Sequence, residues 1–291
     1  MNLKSVSART WGAVAAVLSL GVGSLFGALP TARDTSFQTL PMNGLPNSSV
    51  LLPNGKIIIG GNFQTIGGES RPALARLNAD GTLDNTFVPP LAGPGIWGKP
   101  TVYDVVVAAD GKIIAAGTRA FQTTGAVLRT NIIRFNADGS VDASWNAGEI
   151  QPFKGLAVQP DGKVIYSTFL LDRGLFGPAR LNANGTPDAS FNYVRGIVSG
   201  LGCIQFHVQP GGMILGLAGD NDPNRNGNQQ VFRLDATGME DFNFKFTLPP
   251  YNILDDTRLA VDANGRIVVA VGDSFPPIIF RPPASLTADF G

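Results

Sequence analysis

Short apolar runs separated by glycine turns set the rhythm of this chain. Ile57-Ile58-Ile59, Val105-Val106-Val107, Lys163-Val164-Ile165-Tyr166 and Ile267-Val268-Val269-Ala270 are rich in β-branched residues, too short for helices and suited to strands. Turns ending in glycine punctuate them: Pro53-Asn54-Gly55-Lys56, Ala109-Asp110-Gly111-Lys112, Pro160-Asp161-Gly162-Lys163, Pro210-Gly211-Gly212-Met213 and Ala263-Asn264-Gly265-Arg266. Their glycines recur at intervals of 56, 51, 50 and 53 residues, so the chain holds five copies of one unit. A second signal, Arg76-Leu77-Asn78-Ala79-Asp80-Gly81, returns at 134–139 and 180–185 and in altered form at 233–238. Both have the chemistry of a three-residue hairpin loop: proline or a small residue first, Asp or Asn next, then glycine at the position that needs positive φ. Each joins two antiparallel strands, which predicts an all-β chain with four strands, A to D, per copy.

Antiparallel alternation places the tight A–B and C–D turns at one edge of every unit and the longer B–C and D–A connections at the other. The B–C connections, 63–72, 119–129, 171–178, 220–229 and 273–277, differ in length and chemistry where the turns do not. On rigid strands such an edge is the expected binding surface.

One spacing outlasts the turn motif. An arginine in strand C is followed eight residues later by an aspartate: Arg76 and Asp84, Arg134 and Asp142, Arg180 and Asp188, Arg233 and Asp241, Arg281 and Asp289. Across a three-residue loop these positions face each other, which predicts a cross-strand ion pair in each unit. An exposed pair contributes only about 0.2–1 kcal/mol, so the persistence points to burial between units or to register. Strand D carries an aromatic three residues after the aspartate: Phe87, Trp145, Phe191 and Phe244. The fifth copy has none, and Asp34-Thr35-Ser36-Phe37 stands alone ahead of the first. The expectation is a five-bladed β-propeller of four-stranded antiparallel blades, with the N-terminal strand completing the last blade and Asp34 facing Arg281. Closure of the ring would remove exposed sheet edges.

The stretch from Leu52-Pro53-Asn54-Gly55-Lys56 through Gly60-Gly61-Asn62-Phe63 to Ala75-Arg76-Leu77-Asn78-Ala79-Asp80-Gly81 and on to Asp84 and Phe87 resembles the delta-60 repeat family, predicted β-propeller repeats of bacterial exported and surface proteins. The likeness extends over residues 34–291 and fades in the last two copies. It implies propeller architecture and export, and brings no catalytic residues.

Composition agrees with a turn-rich fold, with 36 Gly and 21 Pro in 291 residues. Twenty-two basic residues balance 22 acidic ones without a charged run, which leaves nucleic acid and anionic membrane surfaces without an electrostatic attractor. Residues 1–32 differ: Lys4 and Arg9 precede an uncharged stretch over 11–29, which reads as a secretory signal, with an uncleaved anchor as the alternative. Residues 33–291 then form the propeller in an extracytoplasmic compartment. Cys203 is the single cysteine, so no disulfide within the chain supports the fold.

Candidate chemistry is sparse. Asp220, Asp222, Asn224 and Asn226, followed by Gly227, match the opening of a calcium loop, but Arg233 stands where a bidentate Glu belongs. Calcium is the one cofactor the sequence suggests. His207 aligns with Val50, Val106, Ala157 and Ala260 and reads as a packed strand residue. Loop aromatics, an acid and arginines (Trp97, Phe121, Arg129, Phe153, Arg195, Tyr251 and Asp255) could form the long-loop face of a recognition or surface-structural module that binds an extracellular protein or glycan. The other reading is a secreted hydrolase or lyase acting on polysaccharide through acids such as Asp104, Asp255 and Asp256 near the starts of strands A.

Overall fold

The computed structural model of the chain describes residues 35–91, 99–118, 121–122, 128–129, 131–148, 150, 152–170, 175–193, 202–219, 230–247, 257–261, 266–271 and 278–280. Their strands form five antiparallel sheets in chain order. The first holds β1 (Pro46–Leu51), β2 (Ile57–Gly61) and, after a two-stranded ribbon of β3 (Thr65–Ile66) and β4 (Glu69–Ser70), β5 (Leu74–Leu77). The second repeats this plan with β6 (Thr101–Val107), β7 (Ile113–Thr118), the ribbon β8 (Phe121–Gln122) and β9 (Leu128–Arg129), and β10 (Ile132–Phe135). The third contains β11 (Pro152–Val158), β12 (Val164–Leu170) and β13 (Leu175–Leu181). The fourth has β14 (Gly202–Val208), β15 (Ile214–Gly219), β16 (Gln230–Leu234) and β17 (Glu240–Thr247), and the fifth β18 (Thr257–Val261), β19 (Ile267–Val271) and β20 (Ile278–Phe280).

Both turn types close as three-residue loops. Gly55 N–H donates to the Leu52 carbonyl while Leu52 N–H donates to Lys56, and Gly81, Asn78 and Thr82 repeat the arrangement. Gly55 and Gly81 take φ of 79° and 85°, the left-handed conformation that favours glycine.

The period-2 pattern along each strand B divides its side chains between two neighbours. Ile58 joins a core with Phe87, Val102, Val105 and Phe135 between the first and second sheets. Ile114 and Ala116 face Leu156, Val164 and Tyr166 of the third, and Ile165 faces Phe206 and Phe232 of the fourth. Ile57 and Ile59, on the first sheet's other face, pack with Phe63 and Ile66 under Phe37, Leu40 and Met42. The first strands line up in order, β1 on β6, β6 on β11, β11 on β14 and β14 on β18.

Strand D departs from expectation in three sheets. It shrinks to single bridges, Leu77 to Leu83, Phe135 to Val141 and Leu181 to Pro187. Directly afterwards the Asp84 carboxylate accepts the amide and hydroxyl of Thr86, at 2.9 and 2.6 Å, and so bends the chain into a turn that competes with the ladder. Asp142 with Ser144 and Asp188 with Ser190 do the same. In the first sheet Val88-Pro89-Pro90 follows, and proline has no N–H for a ladder bond. In the fourth sheet the turn persists, with Asn243 N–H on Asp241 at 3.0 Å, but Lys245-Phe246-Thr247 can pair and does so with Phe232, Val231 and Gln230.

The fifth sheet differs in register. Ile58, Ile114, Ile165 and Leu215, each third after the turn glycine, pair with Arg76, Arg134, Arg180 and Arg233. Val268, third after Gly265, pairs with Ile279 instead of Arg281. Arg281, Asp34 and Asp289 lie outside the described residues, and so does the expected pair of Arg281 with Asp34.

Candidate functional site

The A–B and C–D turns carry one device four times over. Asp84 accepts from Arg76 Nε and Lys56 Nζ, each at 2.7 Å. Asp142 sits between Arg134 and Lys112 at 2.8 and 2.7 Å, and Asp188 between Arg180 and Lys163 at 2.7 and 3.0 Å. The lysine follows the A–B glycine, a position sequence reasoning passed over although Gly-Lys recurs in three turns. In the fourth sheet Met213 replaces it, Arg233 alone holds Asp241 at 2.6 Å, and the aspartate is more open, 19% exposed against 4% for Asp84. Burial pushes the carboxyls of Asp84, Asp142 and Asp188 up. The hydrogen bonds from the cations and from Thr86, Ser144 and Ser190 outweigh it and hold all three well below the usual carboxylate range.

These clusters also join neighbours. Arg76 lies over Phe87, with 4.6 Å to the ring centroid, and donates from Nη1 to the carbonyl of Ala137 in the next sheet at 2.7 Å. Arg134 over Trp145 reaches Ala183, and Arg180 over Phe191 reaches Ala236, at 2.8 and 2.5 Å. Each aromatic rests on the C–D glycine of the following sheet, Phe87 on Gly139, Trp145 on Gly185 and Phe191 on Gly238. This edge is occupied by structural contacts.

A second polar set pins the first strands to one another. Each of β1, β6, β11 and β14 bulges near its start. At the bulge, Asp104 accepts from Ser48 Oγ at 2.7 Å, from its neighbour Val105 N–H at 2.9 Å and from Leu156 N–H at 2.7 Å, which ties β1, β6 and β11. Burial pushes its carboxyl up, against these bonds and the charge of Arg258 on β18. Gln205, at the matching position of β14, exchanges two bonds with the backbone of Leu259. Both Asp104 oxygens are engaged in pinning, and only one acid stands among the matching positions Ser48, Asp104, Gly155, Gln205 and Arg258.

The opposite edge carries the ribbons. Asn43 Oδ1 receives the amides of Gln64 and Thr65 at 2.7 and 2.9 Å and so fixes the base of β3–β4, whose tip, residues 67–70, is exposed. In β8–β9 the register sets Phe121 directly opposite Arg129, which brings two expected surface residues together. Phe153, expected in a loop, belongs to strand β11. The expected 171–178 connection is shortened by strand, since β12 and β13 pair as far as Leu170 and Leu175. Trp97, Arg195, Tyr251 and Asp255, and the calcium-loop residues Asp220, Asp222, Asn224 and Asn226, lie outside the described residues. Among the described residues no group of three or more His, Cys, Asp or Glu could hold a metal ion, and no helix is long and apolar enough to cross a membrane. His207 pairs with Leu215 inside the fourth sheet, where burial lowers its pKa.

A family model described as a domain of unknown function (DUF5122) beta-propeller matches residues 52–87, 108–144 and 177–191, the segments that carry the turns, the ion pairs and the aromatics. The fold is a β-propeller. No curated protein matches the chain. Among solved structures it is similar to a protein of unknown function from Dyadobacter fermentans, with TM-score 0.50 and 12% identity over 89% of this chain and 86% of that one. A gluconolactonase from Xanthomonas campestris has TM-score 0.46 and 16% identity over 75% and 66% of the two chains. An exo-β-1,3-galactanase from Phanerochaete chrysosporium has TM-score 0.47 and 10% identity over 80% and 59%. At 12% identity the likeness to the Dyadobacter protein concerns the fold alone.

Proposed function

We propose that the chain is an exported five-bladed propeller of four-stranded blades that recognises an extracellular protein or glycan through its B–C and D–A face. The contrast between the two edges carries this reading. Ion pairs and inter-blade bonds engage the tight-turn edge in the same way from blade to blade, whereas the opposite edge bears added ribbons that differ in sequence and extend beyond the sheets. The β3–β4 tip of Gly67, Gly68, Glu69 and Ser70 has no part in the core. Phe37, resting on Gly81 as the blade aromatics rest on theirs, supports a fifth blade completed by the segment that begins at Asp34.

The test is a glycan and peptide array probed with the exported protein, with and without chelator, beside a variant in which the exposed tip residues Glu69 and Ser70 become glycine. A ligand retained by the parent and lost by the variant is the expected result. Chelator-sensitive binding would assign calcium to the loop containing Asp222, Asn224 and Asn226. Turnover of a polysaccharide with no retained ligand would replace this reading by a secreted hydrolase or lyase.

A further inference from the structure

At one point on the tight-turn edge the repeated device changes. Lys56, Lys112 and Lys163 follow the A–B glycines of three blades and place Nζ on Asp84, Asp142 and Asp188 at 2.7, 2.7 and 3.0 Å. The fourth blade has Met213 there, and Asp241 keeps one cation, Arg233, which donates to its Oδ2 from Nε and Nη2 at 3.1 and 2.6 Å. The Asp241 side chain is 19% exposed, whereas those of Asp84, Asp142 and Asp188 are 4%, 6% and 6% exposed beneath their lysines. Charge is also left unbalanced. Arg233 stands with Asp235, Glu240 and Asp241, one positive formal charge against three negative, where the first blade sets Lys56 and Arg76 against Asp80 and Asp84.

Apolar side chains accompany this carboxylate where the other blades are polar or small. Met239 stands in place of Thr82, Ser140 and Thr186 and is 45% exposed, and Phe242 stands in place of Asn85, Ala143 and Ala189 and is 62% exposed. Met213 and Asp235 lie one step beyond the Ile214–Leu234 pair, and the Met239 carbonyl accepts the Asp235 N–H at 2.9 Å. Residues directly opposite on neighbouring strands project to the same face, so Met213 and Met239 flank Asp235. Phe242 sits within the turn that Asn243 N–H closes on the Asp241 carboxylate at 3.0 Å. Methionine adapts to varied partner shapes, and a phenylalanine ring face attracts a cation.

We infer that this patch docks an extended peptide segment of a partner protein through a lysine. The incoming ammonium takes on Asp241 the place that Lys56 takes on Asp84, and an apolar residue beside it covers Met213, Met239 and Phe242. Three blades demonstrate that an aspartate in this setting accepts an ammonium as well as an arginine. Lysine fits better than arginine, because Arg233 already holds Oδ2 with its planar fork and the three lysines each add a single-point contact. The excess of negative charge selects a basic segment over an acidic or neutral one. The patch lies on the edge opposite the ribbons, so this inference is independent of what they bind.

The experiment presents the full chain to an array of synthetic peptides with a central lysine between varied residues, beside copies in which that lysine is acetylated. The parent is expected to retain lysine-centred peptides with apolar neighbours, and acetylation should weaken the best of them about tenfold or more, as loss of a charge-assisted hydrogen bond does. Met213→Lys supplies the cation from within and should abolish retention while leaving the urea midpoint at or above the parent's. Phe242→Asn, which installs the first blade's residue at an exposed position, should weaken retention several-fold with the midpoint unchanged. Retention that survives both variants overturns the proposal, as does retention indifferent to acetylation, or none of any lysine-centred peptide. Should Met213→Lys not fold, Phe242→Asn and acetylation decide in the same way. Sedimentation velocity covers the remaining occupant: a parent dimer that Phe242→Asn returns to monomers would place a second copy of the chain on the patch and overturn the partner peptide.

Discussion

Phe37 lies against Gly81 as Phe87 lies against Gly139: a Cβ built on either glycine would stand 3.0 Å from the ring. The next residue continues the match. Gln38 N–H donates to the Asp80 carbonyl at 2.7 Å, as Asn192 N–H does to Thr237 at 3.0 Å after Phe191. A segment outside every sheet therefore meets the first blade in the manner of a preceding blade's D element. Phe37→Ala is expected to cost about 2 kcal/mol for its partly buried ring, and Phe87→Ala, fully buried, about 3–5 kcal/mol. Urea denaturation measures both, and a Phe37→Ala loss within error of zero would show that the segment merely rests on the sheet.

Between the aromatic and its glycine there is no room for a methyl group. At Gly185 an added Cβ would lie 2.9 Å from both the Trp145 ring and the Asn146 backbone, and φ is 92°. Gly185→Ala should therefore cost more than the roughly 1 kcal/mol of an ordinary glycine-to-alanine change at positive φ. Gly68→Ala, with φ of 86° but nothing within 4 Å, should cost only that conformational amount. Equal losses at the two sites would refute the steric account.

Met213 marks the one described aspartate cluster without its lysine. Met213→Lys should bring a second cation to Asp241 and stabilise the chain by about 1 kcal/mol at low salt, less at high salt. The reverse change, Lys112→Met, should cost a similar amount. Asp142→Ala is harsher, since it leaves Arg134 and Lys112 without their counter-charge and should cost about 3–5 kcal/mol. Thermal melts at two ionic strengths separate these cases.

Acid should undo the same clusters. Asp84, Asp142 and Asp188 titrate lower in the folded chain than unfolded, so their stabilisation is full above an unfolded carboxylate value of about 3.9 and is lost as pH falls through the folded values. His207 acts in the same sense at higher pH. Burial lowers its pKa, so the unfolded chain binds the extra proton and stability falls as pH drops below about 6.5. Unfolding free energies from pH 8 to 3 should show both limbs. His207→Phe should flatten the upper limb alone, and Asp84→Asn should shrink the lower one.

What the sequence determined by itself is local. Turns at Gly55 and Gly81, strands on either side of them, and the spacing from Arg76 to Asp84 all rest on backbone sterics and hydrogen bonds within about ten residues. The tertiary structure decided everything that passes between elements. Lys56 reaches Asp84 across 28 residues of chain and Arg76 reaches Ala137 across 61. A period near fifty residues cannot say whether an aromatic turns to the blade before it or the one after. Strand D is reduced to a bridge at Leu83 because Asp84 followed by Thr86 closes a turn, a competition that alternation of apolar residues does not register. The fifth sheet's register, with Val268 opposite Ile279, likewise belongs to pairing and is not written in the turn spacing. Turn chemistry acts at short range and repeats with the sequence. The joints between blades depend on which surfaces burial brings together, and only the folded chain selects them.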